Sequence, residues 1–173
     1  MPDPTDIDLL RQAKAGKQGA FHRLIDRHAP ALLRLAPSLV PTLQDAEDLL
    51  QETFTAAFRS LNTFQERSSV KTWLYAILFR QAATLRRKIG APLKPLPDEL
   101  PSLSPNPNAR TDARLDLQQA LDKLPQDFRA ILILRELEGL SYTEIAALLD
   151  LPQGTVESRL NRARQALKNA FRA

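Results

Sequence analysis

Six of the chain's thirteen prolines, Pro92, Pro95, Pro97, Pro101, Pro105 and Pro107, fall between Ile89 and Arg114, in a stretch with no regular apolar period. Proline fixes φ and removes a backbone donor, so no long helix continues through such a segment. The stretch reads as an extended linker. Helical patterns occupy the 88 residues before it and the 59 after it, and hardly a β-branched alternating run occurs in either half. The economical parse is an all-α chain: two small helical domains, residues 1–88 and 115–173, joined by a Pro-rich tether over 89–114.

In the first half, Asp6 can cap a short helix that runs through Ala15 and ends at Gly16. A second helix runs from about Gln18, with Phe21, Leu24, Ile25, His28, Leu32 and Leu35 at helical spacing; Pro30 should kink or restart it, and Pro37 and Pro41 close it. A third covers Asp45 to Leu61, its apolar stripe formed by Leu50, Phe54, Ala57, Phe58 and Leu61, and a fourth covers Val70 to Lys88.

The second half opens with a helix over Ala113 to Lys123, broken at Leu124-Pro125. The next runs from Gln126 to Glu138 and stops at Gly139 in a left-handed turn. Ser141-Tyr-Thr-Glu144 fits a capping box for a helix ending near Leu149, and a last helix runs from about Gly154 to Arg172. Residues Tyr142 to Leu160 have the grammar of a helix-turn-helix. Ala146 is small where a second helix must approach, Asp150-Leu151 makes the tight turn, and Val156 wedges the second helix. Asp150 stands where glycine is the common choice, and aspartate tolerates positive φ better than most residues.

Val156, Leu160, Ala163, Leu167 and Phe171 recur in steps of four, three, four and four and define the buried stripe of the last helix. The opposite face carries Glu157, Ser158, Asn161, Arg162 and Gln165, side chains able to read base edges in a major groove. Thr155, Arg159, Arg164, Lys168 and Arg172 lie beside that face, and the bases among them suit phosphates. A solvated polar surface is the plainer role for such a face. The turn, the small residue and the cap together favour a reading helix.

The net charge of +4 conceals a partition. Residues 41–66 hold five acids (Asp45, Glu47, Asp48, Glu52, Glu66) and one base, Arg59, whereas residues 67–90 hold six bases (Arg67, Lys71, Arg80, Arg86, Arg87, Lys88) and no acid. An acidic helix is superfluous in a simple DNA-binding module, which suggests a basic protein partner besides nucleic acid. The basic helix is also the aromatic one. Trp73, Leu74, Ile77, Leu78 and Leu85 can form its core stripe, while Tyr75 and Phe79 project to the other side near Arg86. Aromatics among bases make a stacking platform for unpaired bases, with packing against a neighbouring helix as the competing role.

Several function classes drop out. The chain has no cysteine, which excludes disulfide scaffolds, thiol nucleophiles and cysteine-bound zinc. His22 and His28, six apart, cannot share a metal from one helical face and read as ordinary surface histidines, so no metal and no cofactor are expected. The five glycines form no phosphate loop, and the acids lack a histidine partner, so neither an enzyme nor a small-molecule substrate is expected. The longest apolar run, Trp73 to Phe79, falls far short of a membrane span, and the acidic N-terminus lacks a signal pattern. A cytoplasmic protein with no membrane insertion is the expectation.

Four blocks occur in order: Asp45-Ala-Glu-Asp-Leu-Leu-Gln-Glu-Thr-Phe54; Thr72-Trp-Leu-Tyr75 leading to Arg86-Arg-Lys88; the proline-rich tether; and Gly139-Leu-Ser-Tyr-Thr-Glu-Ile-Ala146 with Gly154-Thr-Val-Glu-Ser-Arg-Leu-Asn-Arg-Ala-Arg164. In this the chain resembles the bacterial RNA polymerase sigma factors of the extracytoplasmic-function (ECF) group, which contain only regions 2 and 4. The resemblance covers nearly everything except the tether and the first few residues. It implies that Asp48, Gln51 and Glu52 dock on core RNA polymerase. It implies that Phe64, Trp73 and Tyr75, with Lys71, Arg80, Arg86 and Arg87, engage the −10 element of promoter DNA and capture an unpaired base. It also implies that Thr155, Glu157, Ser158, Arg159, Asn161, Arg162 and Arg164 serve the −35 element. An anti-sigma factor is a common further partner in the group.

This chain departs from the family pattern in places. Ala76, Leu78 and Phe79 stand where many relatives have Arg or Asn, Glu157 where a base is frequent, and Asn161 where His or an aromatic is frequent. Pro37 and Pro41 shorten the second helix. The alternative function is a free-standing helix-turn-helix regulator, which would bind a palindrome as a dimer, yet no long apolar seam for dimerisation is visible.

Overall fold

The computed structural model describes residues 3–90 and 113–172, and for 113–116, 118 and 172 the backbone alone. Most of the segment expected to be a tether thus lies outside the described residues, as does the Arg172 side chain. The chain divides into two units, Met1–Pro92 and Leu93–Ala173, each with its own core. Every regular element among the described residues is helical, as the apolar periodicities predict.

The first unit contains α1 (Asp6–Lys14), α2 (Ala20–Leu35), α3 (Leu43–Ser60) and α4 (Val70–Lys88), with single 3-10 turns at Ala36–Ser38 and Leu61–Thr63. Thr5, not Asp6, caps α1. Its hydroxyl accepts from the Asp8 N–H while the Asp8 carboxylate accepts from the Thr5 N–H, a capping box one residue earlier than expected. Asp6 is thereby freed for the second helix: it accepts from Arg27 at 2.8 Å and sits 2.8 Å from His28 Nε2. Burial pushes the Asp6 carboxyl up, but the Arg27 and His28 contacts outweigh it and hold it below the ordinary value. His28, with its side chain only 11% exposed, is therefore no surface histidine, whereas His22 is one.

Pro30 does not interrupt α2, which continues to Leu35 because Leu24, Ile25, Ala31, Leu32 and Leu35 are all anchored in the core. In α3 the buried face is Ala46, Leu49, Leu50, Thr53 and Ala57, continued by Leu61. Phe54 and Phe58, expected in the apolar stripe, fall outside the fully buried face, Phe54 being partly covered. Phe58 is 62% exposed and meets Phe21 edge-on at 5.2 Å between ring centroids. Thr53, turned inward, satisfies its hydroxyl by donating to the Leu49 carbonyl at 2.7 Å.

The second unit contains α5 (Ala113–Asp122), α6 (Gln126–Leu132), α7 (Tyr142–Leu149) and α8 (Gln153–Arg172). Helix α8 packs against the other three. The expected helix over Gln126–Glu138 departs from α geometry after Leu132 and becomes a π turn over Ile133–Leu137, where the Glu138 N–H reaches back to the Ile133 carbonyl at 3.0 Å. Gly139 ends it at φ +71°, as expected, and Arg135 spans the break, donating to the Leu140 carbonyl at 2.7 Å with its guanidinium 4.9 Å from the Tyr142 ring.

The capping box forms as the sequence predicts, Ser141 accepting from the Glu144 N–H and Glu144 accepting from the Ser141 N–H. Asp150 adopts φ +53°, ψ +50°, the left-handed turn expected between α7 and α8. A side chain there costs roughly 1–2 kcal/mol, less for aspartate, and glycine's extra freedom in the unfolded chain takes back about 0.4–1 kcal/mol. Asp150→Gly should therefore raise stability by up to about 1 kcal/mol, read as a higher urea midpoint. A lower midpoint would mean that Asp150 contributes more than its backbone conformation.

Candidate functional site

Three surfaces carry the residues singled out by the sequence. The first is the outer face of α3. Because its core side is Ala46, Leu49, Leu50, Thr53 and Ala57, the i, i+3, i+4 row of Asp48, Gln51 and Glu52 points to solvent, and all three are exposed. Asp48 takes part in a long contact with Gln44, 3.4 Å. The helix keeps its acids available as a strip of negative charge rather than neutralising them internally.

The second surface joins α4 to the loop before it. Ser69 caps α4 by accepting from the Thr72 N–H at 3.0 Å, which sets the phase of everything downstream. The core side is Val70, Leu74, Tyr75, Ile77, Leu78 and Ala82. Tyr75 is 1% exposed, so the expectation that it projects toward nucleic acid is corrected. Helix α4 packs against both α3 and α2, and two neighbours widen its buried arc enough to include Tyr75. Lys71 follows it, its ammonium 5.9 Å from the Tyr75 ring. Phe79 is partly buried.

Trp73, by contrast, is partly exposed, and at about 100° per residue Trp73, Arg80 and Arg87 fall almost in line along the outer face of α4, with Ala76 and Ala83 beside them. Arg80 and Arg87 are both exposed, and Arg87 donates to the Thr84 hydroxyl at 3.3 Å. Arg86 sits on the other flank, toward Tyr75, and is only partly exposed. Phe64 packs on Trp73 with ring centroids 4.8 Å apart and planes tilted by 34°. Trp73, Arg80 and Arg87 thus share a face, with Phe64, itself only 8% exposed, packed behind Trp73; Phe79 is partly covered, like Trp73, and Tyr75 withdraws into the core.

The loop bearing Phe64 is tied to α1. Lys14 Nζ donates to the Phe64 carbonyl at 2.6 Å and lies 5.9 Å from its ring. Two residues on, Glu66 accepts from Arg11 through both carboxylate oxygens, at 2.9 and 3.4 Å. The hydrogen bond from Arg11 holds the Glu66 carboxyl below its ordinary value. Glu66 has φ +56°, a conformation that costs a non-glycine residue about 1–3 kcal/mol. No periodicity pointed to Lys14 or Arg11. The signal for them was tertiary.

The third surface is the outer face of α8. Val156, Leu160, Ala163, Ala166 and Ala170 are buried, while Phe171 is 51% exposed and Leu167 only partly covered, so the stripe drifts toward the alanines at its C-terminal end. Glu157, Ser158, Asn161 and Gln165 are exposed, with Thr155, Arg159 and Arg162 partly so. Ser158 donates to the Thr155 carbonyl at 3.0 Å and Glu157 accepts from Gln153 at 3.3 Å. Arg159 and Arg162 make no ion pair among the described residues. Arg164 does not stand free beside this face: its Nε and Nη2 both donate to Glu136 Oε1, at 3.0 and 2.7 Å, fastening α8 to the π turn. Beside that pair, Leu132, Leu167, Lys168 and Phe171 line a shallow groove. No group of three or more metal-ligating side chains exists among the described residues, and no helix among them is long and apolar enough to cross a membrane.

Residues 24–91 match the family Sigma-70 region 2, and residues 114–167 match Sigma-70, region 4. The chain is 42% identical over 159 residues to the ECF RNA polymerase sigma factor SigE of Mycolicibacterium smegmatis, covering 87% of this chain but only 61% of that protein's length. It is 36% identical over 179 residues to the ECF RNA polymerase sigma-E factor of Salmonella typhimurium, covering 95% of this chain and 93% of that one. Among solved structures it is similar to CnrH in its complex with the cytosolic domain of CnrY, with a TM-score of 0.64, 32% identity and 96% of both chains covered. It is also similar to the sigma factor RpoE bound to the anti-sigma factor NepR from Bartonella quintana, with a TM-score of 0.63, 29% identity, and 88% of this chain and 96% of that one covered.

Proposed function

The chain belongs to the ECF group of RNA polymerase sigma factors, and from that membership we propose how its three surfaces divide the work of starting transcription at a chosen promoter. The outer face of α3, with Asp48, Gln51 and Glu52, docks on core polymerase. Phe64 and Trp73 receive an unpaired base of the −10 element while Arg80 and Arg87 follow the strand's phosphates. The outer face of α8 enters the major groove of the −35 element. The observation that carries this reading is the coexistence in one unit of a bare acidic helix face and a partly exposed tryptophan, backed by Phe64, in line with two bases. A DNA-only module has use for the second of these and none for the first.

Such a factor makes and breaks no covalent bond. Assembly with polymerase brings two modest DNA readers together, so engagement of one raises the effective concentration of the other. Stacking of the extruded base, about 1–3 kcal/mol per base, offsets an unpairing cost on the order of a few kcal/mol. Its place of action is the cytoplasm, where transcription occurs. The relatives solved in complex with the cytosolic domain of CnrY and with the anti-sigma factor NepR support an anti-sigma partner for this chain as well.

Reconstitution with core polymerase on a cognate promoter tests the proposal: open complexes should form only when both proteins are present. Sequence-specific binding to bare duplex DNA as a dimer, without open complexes, would instead establish a free-standing regulator. Within the −35 face, Arg162→Ala should cost about 1–3 kcal/mol at one promoter position, as expected for a base contact. Arg159→Ala should weaken binding evenly across sequences, as a phosphate contact does. Even weakening by Arg162→Ala would reassign that side chain to the phosphates.

A further inference from the structure

We propose that α1 is a positioning element for base capture, with Lys14 and Arg11 clamping the loop that presents Phe64 to Trp73. The inference rests on the assignment of Phe64 and Trp73 to the −10 element. Trp73 is placed by α4 itself. Phe64 is not, because it lies in the connecting loop just after the 3-10 turn Leu61–Thr63. Its side chain is buried against Trp73, and its backbone is held from residues some fifty positions earlier: the Lys14 ammonium sits on its carbonyl at 2.6 Å and near its ring at 5.9 Å, and Arg11 on Glu66 at 2.9 Å. Gln65 is thereby bracketed by two anchored neighbours.

The backbone of Glu66 strengthens the case. A glutamate at φ +56° persists only where its surroundings dictate the conformation, and the surroundings here include Arg11. The Arg11–Glu66 pair builds no core, and the Lys14 bond is made to the backbone of Phe64 rather than to its side chain. Arg11 is 65% exposed in its ion pair, a class of interaction that adds little to global stability. Both act on the one segment whose side chain completes the aromatic pair, so their effect concentrates on the geometry of that pair.

The experiment uses holoenzyme assembled from core polymerase and the full chain. The probe is a labelled single-stranded oligonucleotide carrying the −10 sequence that the wild-type holoenzyme selects from a randomised pool. Lys14→Met keeps the aliphatic stem and removes the donor and the charge. It should lose about tenfold in affinity for the oligonucleotide, with assembly on core polymerase and melting temperature unchanged. Lys14→Arg should recover most of the loss, and Arg11→Glu with Glu66→Arg should bind better than either single exchange. The salt dependence should keep its slope, since a direct phosphate contact, unlike a clamp, would lower it by about one.

If Lys14→Met binds like the wild type while Phe64→Ala and Trp73→Ala weaken binding, the clamp is overturned and the −10 assignment stands. If Phe64→Ala and Trp73→Ala bind like the wild type, both fall. A reduced salt slope for Lys14→Met would make Lys14 a DNA contact and overturn the clamp. Equal losses in Lys14→Met and Lys14→Arg with a lower melting temperature would make it a structural residue, with the same consequence.

Discussion

Asp48→Arg combined with Glu52→Arg should abolish assembly with core polymerase while leaving the first unit folded. Both side chains lie on the exposed row of α3, one turn apart, opposite the buried Ala46, Leu49, Leu50, Thr53 and Ala57. Reversing them breaks no core packing, and arginine is at least as good a helix former as the acids it replaces. Two attractions become two repulsions against a basic partner. Like charges brought together at an interface cost several kcal/mol, so a loss of roughly a hundredfold or more is expected. Titration of labelled core polymerase with each variant measures it, and circular dichroism checks the fold. Unchanged affinity would show that polymerase docks elsewhere.

Leu160→Ala is expected to have the larger effect on stability, and a selective one. Leu160 is fully buried at the centre of α8, the helix on which α5, α6 and α7 converge. Truncating a buried leucine costs about 2–5 kcal/mol. A helical unit of roughly sixty residues has only about 3–9 kcal/mol in total. The variant should spend much of its time with α5 to α8 open and lose −35 reading accordingly. Hydrogen exchange followed segment by segment should show protection lost from α5 to α8 and kept in α1 to α4. Retained protection in α8 would mean that the site collapses around the smaller side chain.

What the sequence made legible was local. Caps, terminators and turns depend on neighbouring residues, so the Ser141-Glu144 box, the stop at Gly139 and the left-handed Asp150 could be read directly. The misreadings arose where a second helix decides. Tyr75 and Phe58 are both aromatic and both lie near the edge of an apolar stripe. One is 1% exposed and the other 62%, because α4 has neighbours on two sides while the Phe58 edge of α3 has little beyond Phe21. No period distinguishes these cases. The Glu136 partner of Arg164 was illegible for a related reason, since its position depends on a π turn that no propensity announces.

That π turn makes chain length itself a constrained quantity. A π turn contains one residue more than the α turn it replaces, and each residue in a helix is worth about 100° of rotation. Deleting any single position between Ile133 and Leu137 would let ordinary helical bonding resume, so the loss in backbone energy would be small. Everything beyond it, however, would arrive turned by about a quarter of a revolution, carrying Gly139 and the cap of α7 away from their places. Substitution can be tolerated in this segment where the side chain is exposed and makes no tie to α8, as at Leu137. Insertion and deletion cannot, and the segment should vary in composition while its residue count is held constant.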